Sequence, residues 1–456
     1  MRIIIFGTGE SVGKFLPKVQ KTIEIIAFTD NNPSMWGKKY NNIKIINPDQ
    51  LIELEYDYIV ICSMFTKEII EGLLRKGIKR DKIIPYYDNF YTKQDRDREE
   101  EVLKKMTKQI RNKKIALVSR GNSGCNCRAL YKNIPDMIKK EFDVTLVSLE
   151  EYKKKWTEFE VAFTTHFEGR FYKSRLNIET WHGFPLKTIG ALEKDCIDSW
   201  WDADKGIDYI LSYSPVYSYI ISSVDQIDIN KFRVTGMPRN DFLANKDAKG
   251  LLGKIIPAVI NKKLIIYAPT FRNRRGKESR EGLNIFGSID DFKIIDGYCK
   301  KNNVAFVIKK HILEDDAGCF NEQYKNLFLI TDESLKKINV DFYQILGAGD
   351  ILITDFSSVY FDYLLINKPV VFWIKDQQEY IQTRGLLFDN LAYFMPGPYV
   401  NNVIELIEAI DNFLQNPRWY QEERENLKNL VHTYQDFNSC ERAWKFFLDC
   451  YCSLNH

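Results

Sequence analysis

Short apolar runs punctuate this chain at regular intervals, and most precede a segment whose apolar positions recur every three to four residues. Runs rich in Ile, Val and Phe predict buried strands, and the longer period predicts amphipathic helices between them. RIIIF opens a first set at the N-terminus, with further strands over 23–28 and 58–63. A polar stretch dense in both charges, residues 91–113, then interrupts the pattern and reads as a linker or solvated helix. Alternation resumes with KIALVSR, a helix over 130–140, DVTLVSL, EVAFTTH, NIETWHG, GIDYILSYS with a helix from Pro215, and FRVTGMPRND. A second set runs from KLIIYAPTFR through VAFVIKKH, LFLITDES and DILITDFSS to PVVFWIKD, and helices follow from Val403. Such alternation predicts an α/β fold. The expected divisions are a small Rossmann-like domain over 1–90, the linker over 91–113, a Rossmann-like half over 114–245, a second half over 246–402, and C-terminal helices over 403–456. Two successive halves of similar size predict a cleft between them, the usual place for a ligand.

The sharpest strand-to-helix boundary is ILITDFSSVYFDYLLINKPVVFW, residues 351–373. Its apolar run stops at Asp355, Ser357 and Ser358, and a helical pattern follows through Val359, Phe361, Leu364 and Leu365. Ser357 or Ser358 is expected to cap that helix, whose free amides and positive dipole end suit a phosphate. A strand comes directly after, so the unit reads as βαβ with its polar loop at the carboxyl end of the first strand, where open parallel sheets bind ligands.

A chain of 456 residues accommodates two or three domains at about 150 residues each. Its 65 basic and 62 acidic side chains leave a net charge of +3, which argues against a surface built to coat nucleic acid. The first residues pass straight into a strand without the pattern of a signal peptide, and no apolar run approaches the roughly 18–20 residues of a membrane span. A cytoplasmic protein is expected, with the basic residues 104–114 as its candidate for peripheral contact with anionic lipid at the inner face of the cell membrane. Nine cysteines without CxxC spacing are expected to be reduced thiols, and no cluster has the spacing of a metal site. Gly7, Gly9 and Gly13 with Asp30 invite a dinucleotide-binding reading, but the spacing is GxGxxxG and Asp30 sits in the turn sequence DNNP. An accessory module without a cofactor is therefore expected there.

Candidate chemistry collects where strands end. His182, in TWHGFPLK, is followed by Gly183 and Pro185, with Lys187 close by. A histidine in such a loop can take a proton from an attacking hydroxyl. His311 follows VIKK and can donate to a phosphate with Lys309 or Lys310, while His166, His432 and His456 read as structural or surface residues. YAPTFRNRR offers Thr270 and Arg272, and GMPRND offers Arg239, Asn240 and Asp241 at the expected mouth of the cleft.

TWHGFPLKTIG, GMPRND, YAPTFR, ITDFSSVYFDYLLINKPVVFW, RGLLFDN and YQDFNSCER, in that order over residues 114–445, resemble the motifs of the CDP-glycerol glycerophosphotransferase family. That family comprises the primases and polymerases of teichoic acids and related capsules. The resemblance implies a glycosyltransferase-B architecture and transfer of a polyol phosphate from CDP-glycerol or CDP-ribitol to a glycan or lipid-linked polyol-phosphate acceptor. No catalytic metal or cofactor is implied. By motif, His182 becomes the base, and His311, Ser357 and Ser358 become donor-diphosphate contacts. Arg272 is expected to assist, and Asp355 to orient its loop or bind a hydroxyl. The chain departs from the pattern at Ile312, where proline is usual, at Phe356, where tyrosine is usual, and at Phe437, where glycine is common. The N-terminal stretch resembles small Rossmann-like domains attached to surface-polysaccharide enzymes. The alternatives are a nucleotide-sugar glycosyltransferase of the same architecture, or a non-catalytic nucleotide-binding protein.

Overall fold

The computed structural model describes residues 1–16, 19, 22–63, 65–85, 111–170, 174–192, 203–270, 289–309 and 324–454. The chain forms two compact units, Met1–Lys108 and Gln109–His456. The first is built on the strands β1 (Arg2–Phe6), β2 (Glu24–Thr29), β3 (Lys39–Tyr40), β4 (Ile43–Ile46), β5 (Tyr58–Ile61) and β6 (Ile83–Pro85), in the order β3-β4-β2-β1-β5-β6. All pairings are parallel except β3 with β4. Gly7 is required by close approach, because a Cβ there would lie 2.5 Å from the Cys62 carbonyl oxygen. Asp30 is consumed locally: it accepts from the Thr8 hydroxyl at 2.6 Å and from the Asn32 amide at 2.9 Å. The DNNP sequence thus makes its turn for local reasons.

The second unit holds two six-stranded parallel sheets. One contains β7 (Lys114–Ser119), β8 (Asp143–Ser148), β9 (Val161–Thr164), β10 (Leu176–Glu179), β11 (Tyr209–Ser212) and β12 (Phe232–Val234), ordered β12-β11-β10-β9-β7-β8. The other contains β13 (Lys263–Tyr267), β14 (Val304–Lys309), β15 (Leu327–Ile330), β16 (Ile351–Thr354), β17 (Val370–Trp373) and β18 (Tyr399–Val400), ordered β15-β14-β13-β16-β17-β18. Central strands such as VAFT and ILIT are buried at every position, as helices on both faces of a parallel sheet demand. The helix expected over 130–140 is two helices, Asn126–Lys132 and Asp136–Glu141, because Pro135 between them has no N–H to continue the ladder.

In each sheet the connections reverse direction at one place, between β7 and β9 in the first and between β13 and β16 in the second. Loops leaving the carboxyl ends of strands diverge at such a point and open a crevice. The C-terminal helix Ser439–Ser453 returns to the first half: Trp444 Nε1 donates to the Leu130 carbonyl, and the Tyr451 hydroxyl to Glu160. Among the described residues no helix is long and apolar enough to cross a membrane.

Candidate active site

His182 stands in the loop after β10, one strand from the switch point of the first sheet. Its backbone is held from below by Glu179, a fully buried residue that accepts from the Trp181 amide at 2.6 Å. The other Glu179 oxygen accepts from the Thr164 hydroxyl at 2.6 Å and the Phe167 amide at 2.8 Å, tying this loop to the one after β9. Burial and the nearby Glu168 carboxylate push Glu179 up to about 8. The His182 carbonyl accepts from Arg239 Nη1 at 2.7 Å. The residue is exposed to solvent, yet protein atoms crowd its ring. That crowding, with His166 and the Arg239 guanidinium, holds its pKa well below the ordinary histidine value, so the imidazole is neutral at pH 7. His182 Nδ1 lies 3.3 Å from the Thr165 carbonyl. A carbonyl only accepts, so the proton sits on Nδ1 and Nε2 keeps its lone pair.

The second switch point is built by Thr270 and Asp355, at the ends of the neighbouring strands β13 and β16. Asp355 Oδ1 accepts from the Thr270 amide at 2.8 Å, the Thr270 hydroxyl at 2.6 Å and the Ser357 amide at 3.1 Å. Asp355 is 2% and Thr270 8% exposed. Asp355 Oδ1 thus orients its loop, one of the two roles expected of it, and the Thr270 amide and hydroxyl, expected to face a donor, are turned to that carboxylate instead. The expected hydroxyl cap is also corrected. Ser358 occupies the cap position of the helix Val359–Tyr363 but already has helical angles, and its side chain makes no capping bond. Asp355 serves the loop amides instead. Among the described residues neither the Ser357 nor the Ser358 hydroxyl bonds to protein, and both residues are half-buried.

The loop of His182 meets the second switch point. A Cβ on Gly183 would lie 2.5 Å from Ser358 Oγ and 3.3 Å from Arg239 Nη2, so only glycine lets the loop of His182 approach that of Ser358 so closely. Leu387 N donates to the Leu186 carbonyl at 2.9 Å, and Lys187 bridges to Leu386, so the segment beyond His182 is also strapped to the second half.

Beneath the contact lies a buried ion pair. Arg239 Nη2 is 2.5 Å from Asp362 Oδ2, with the two side chains 5% and 0% exposed. Asp362 also accepts from the hydroxyls of Tyr213 at 2.8 Å and Tyr343 at 2.6 Å. Arg239 Nη1 donates to the carbonyls of His182 and Gly124, and the guanidinium lies 4.8 Å from the Tyr343 ring centre. Arg239 was expected in the open cleft. It is instead a brace between the halves, because a charge so far from water must find its counter-charge in the protein. Asn240 is likewise buried, and Asp241 receives the Ser439 and Cys440 amides at 2.8 and 2.7 Å, seating the C-terminal helix. The charges of Arg239 and Asp241 are thus met inside the protein. Lys309 pairs with Asp332 at 2.8 Å, whereas Arg272, Lys310, His311 and Ile312 lie outside the described residues. Phe356 is buried and stacks on Tyr380, ring centres 4.4 Å apart. Phe437 has φ of +58°, a conformation glycine adopts at least cost.

One residue set aside in the sequence belongs to this site. His166, from the loop after β9, lies flat on His182 with ring centres 4.3 Å apart and 7° between planes. Its only sequence signal was a place at the end of an apolar strand, which His182 shares.

Paired parallel sheets whose strand-end loops face each other form an architecture of the glycosyltransferase-B kind. The model of the CDP-Glycerol:Poly(glycerophosphate) glycerophosphotransferase family matches residues 153–448, and the chain belongs to that family. A second model, C2185-like, N-terminal, matches residues 1–84. The chain is 29% identical over 259 residues to the teichoic acid ribitol-phosphate polymerase TarL of Staphylococcus aureus, a stretch covering 53% of this chain and 43% of that protein. It is 28% identical over 284 residues to the teichoic acid glycerol-phosphate transferase of the same organism, covering 58% and 67%. The matched stretch thus spans less than half of TarL. A structure of the wall teichoic acid polymerase TagF soaked with CDPG superposes with a TM-score of 0.63 at 18% identity, over 79% of this chain and 95% of that one, and shows the shared fold.

Proposed function

We propose that this chain transfers glycerol phosphate or another polyol phosphate from a CDP-activated donor to a hydroxyl of a teichoic-acid-like acceptor, releasing CMP. The observation that carries the reading is the meeting of a neutral, solvent-open histidine with the Ser357–Ser358 loop, in a chain of this family. His182 Nε2 takes the proton of the acceptor hydroxyl, and the oxygen attacks the polyol-bearing phosphorus. A new P–O bond forms as the P–O bond to CMP breaks, and the bonding pair leaves with CMP. Phosphoryl transfer depends mainly on positioning and charge stabilisation. The hydroxyls of Ser357 and Ser358 are the proposed donor-diphosphate contacts, joined on the family resemblance by Arg272, Lys310 and His311. The site faces the cytoplasm in this reading, with the acceptor carried by lipid at the membrane surface.

The test is incubation with CDP-glycerol, CDP-ribitol and UDP-sugars in the presence of an oligo(glycerol phosphate). Release of CMP is expected. Release of a nucleoside diphosphate from a UDP-sugar would instead identify a sugar transferase, and no turnover a binding protein. A second outcome concerns the serines. Because neither hydroxyl caps the helix, replacing Ser357 and Ser358 together by alanine should leave the melting curve nearly unchanged. Calorimetry should then find CDP binding weakened by about tenfold, the scale of one or two hydrogen bonds to a charged group, and cytidine binding unaltered. Equal losses for CDP and cytidine would place the diphosphate elsewhere.

A further inference from the structure

The stacked imidazoles beside the first switch point share an anchor. His166 Nδ1 is 3.0 Å from the Thr165 hydroxyl, and His182 Nδ1 is 3.3 Å from the Thr165 carbonyl. Both rings thus turn Nδ1 to one residue and carry Nε2 away from it. Both residues are exposed, and among the described residues neither Nε2 is hydrogen-bonded. The loop bearing His166 is stiffened from below by Glu168, which is 4% exposed. Glu168 Oε2 accepts from the amides of Thr165 at 3.1 Å and His166 at 2.8 Å, and its Oε1 from Arg120 Nε at 2.9 Å. Arg120 keeps 42% of its side chain exposed beside the pair. A buried carboxylate therefore orders an imidazole and a guanidinium at the rim of the site, next to the proposed base.

We infer that His166 is a second acceptor-binding residue: its Nε2–H donates to an oxygen of the acceptor beside the hydroxyl that His182 deprotonates, and with Arg120 it favours acceptors carrying a phosphate there. The inference rests on the reading under Proposed function. With the Thr165 hydroxyl donating to His166 Nδ1, the His166 proton resides on Nε2 and stays there throughout. The proton moved in the reaction passes from the acceptor hydroxyl to His182 Nε2 alone. By covering one face of the His182 ring against water, His166 also helps to keep it in its basic form. The charged and titratable groups around the pair are Arg120 from the loop after β7, Glu168 from the loop after β9, Glu179 at the end of β10, and Arg239 and Lys187 on the far side. Burial and Arg120 hold His166 down to about 3.

The test compares wild type, His166→Ala and His166→Gln with CDP-glycerol as donor. The two acceptors are an oligo(glycerol phosphate) and a phosphate-free glycan of similar length ending in glycerol. The alanine variant should raise KM for the phosphate-bearing acceptor about tenfold, as loss of a hydrogen bond to a charged group predicts, with the donor KM unchanged. The phosphate-free acceptor should be affected less. Glutamine, whose amide can take the place of Nε2–H, should recover part of the loss. The acid limb of kcat/KM should move up toward pH 6.5 in the alanine variant, since water then reaches the face of the His182 ring that His166 covered. A merely structural stack would alter melting and kcat but not acceptor selectivity. Folded variants with unchanged acceptor KM and pH profile would overturn the inference alone. A wild-type enzyme that releases no CMP from CDP-glycerol or CDP-ribitol would overturn the reading beneath it as well. If the alanine variant fails to fold, glycerol 3-phosphate titrated into the wild type while the imidazole 15N signals are followed decides the matter. Shifts of the His166 Nε2 signal support acceptor contact, and their absence at saturation overturns it.

Discussion

Replacing Arg239 by alanine is expected to destabilise the second unit by about 3–5 kcal/mol, read as a fall in its melting temperature or denaturation midpoint. The cost does not come from losing an attraction alone. Asp362 is fully buried and would be left with only the Tyr213 and Tyr343 hydroxyls to meet it. The carbonyls of His182 and Gly124 would lose their donor at the same time. Lysine should not restore stability, because a single ammonium cannot reach Asp362 and two carbonyls as the planar guanidinium does. Asp362→Ala should cost a similar amount, and the double variant less than the sum, since the two residues form one network. Stability unchanged in Arg239→Ala would mean that water reaches the pair.

His182→Ala is expected to lower turnover by about 100-fold or more while leaving CDP binding and melting nearly unaltered. Among the described residues the imidazole stacks on His166, meets the Trp181 ring and makes one weak bond to the Thr165 carbonyl, so little stability depends on it. Its depressed pKa has a definite consequence for the wild type. A folded-state value below 6.5 means that the ring stays neutral as pH falls through 6.5. Activity should therefore persist at pH 6, where an ordinary histidine is mostly protonated, and fail only in more acid solution. An acid limb centred at or above pH 6.5 that disappears with His182 would show that the ring is better solvated than its setting implies. Near-normal turnover in the alanine variant would remove His182 from the mechanism.

Much of this molecule was legible in the chain itself. Runs such as RIIIF, KIALVS, KLIIY and ILIT announced strands because burial on both faces leaves no polar alternation, and strand ends located the loops of His182 and of Asp355–Ser358. The ordered motifs carried the family, and His182 and the Ser357–Ser358 loop were picked out by position alone. What only the tertiary structure decided is which polar strand-end residues face water and which face each other. Arg239 meets Asp362 across 123 residues, Thr270 meets Asp355 across 85, and Asp241 meets the Ser439 amide across 198. His166 and His182 stack because β9 and β10 are neighbours in register, not because their sequences resemble one another. Apolar periodicity reports the side of a strand or helix that is buried, a local property of the backbone. The partner of a charge is set by strand order and crossover, so an arginine after a strand reads the same whether it will bind a phosphate, meet water or brace two halves of a fold.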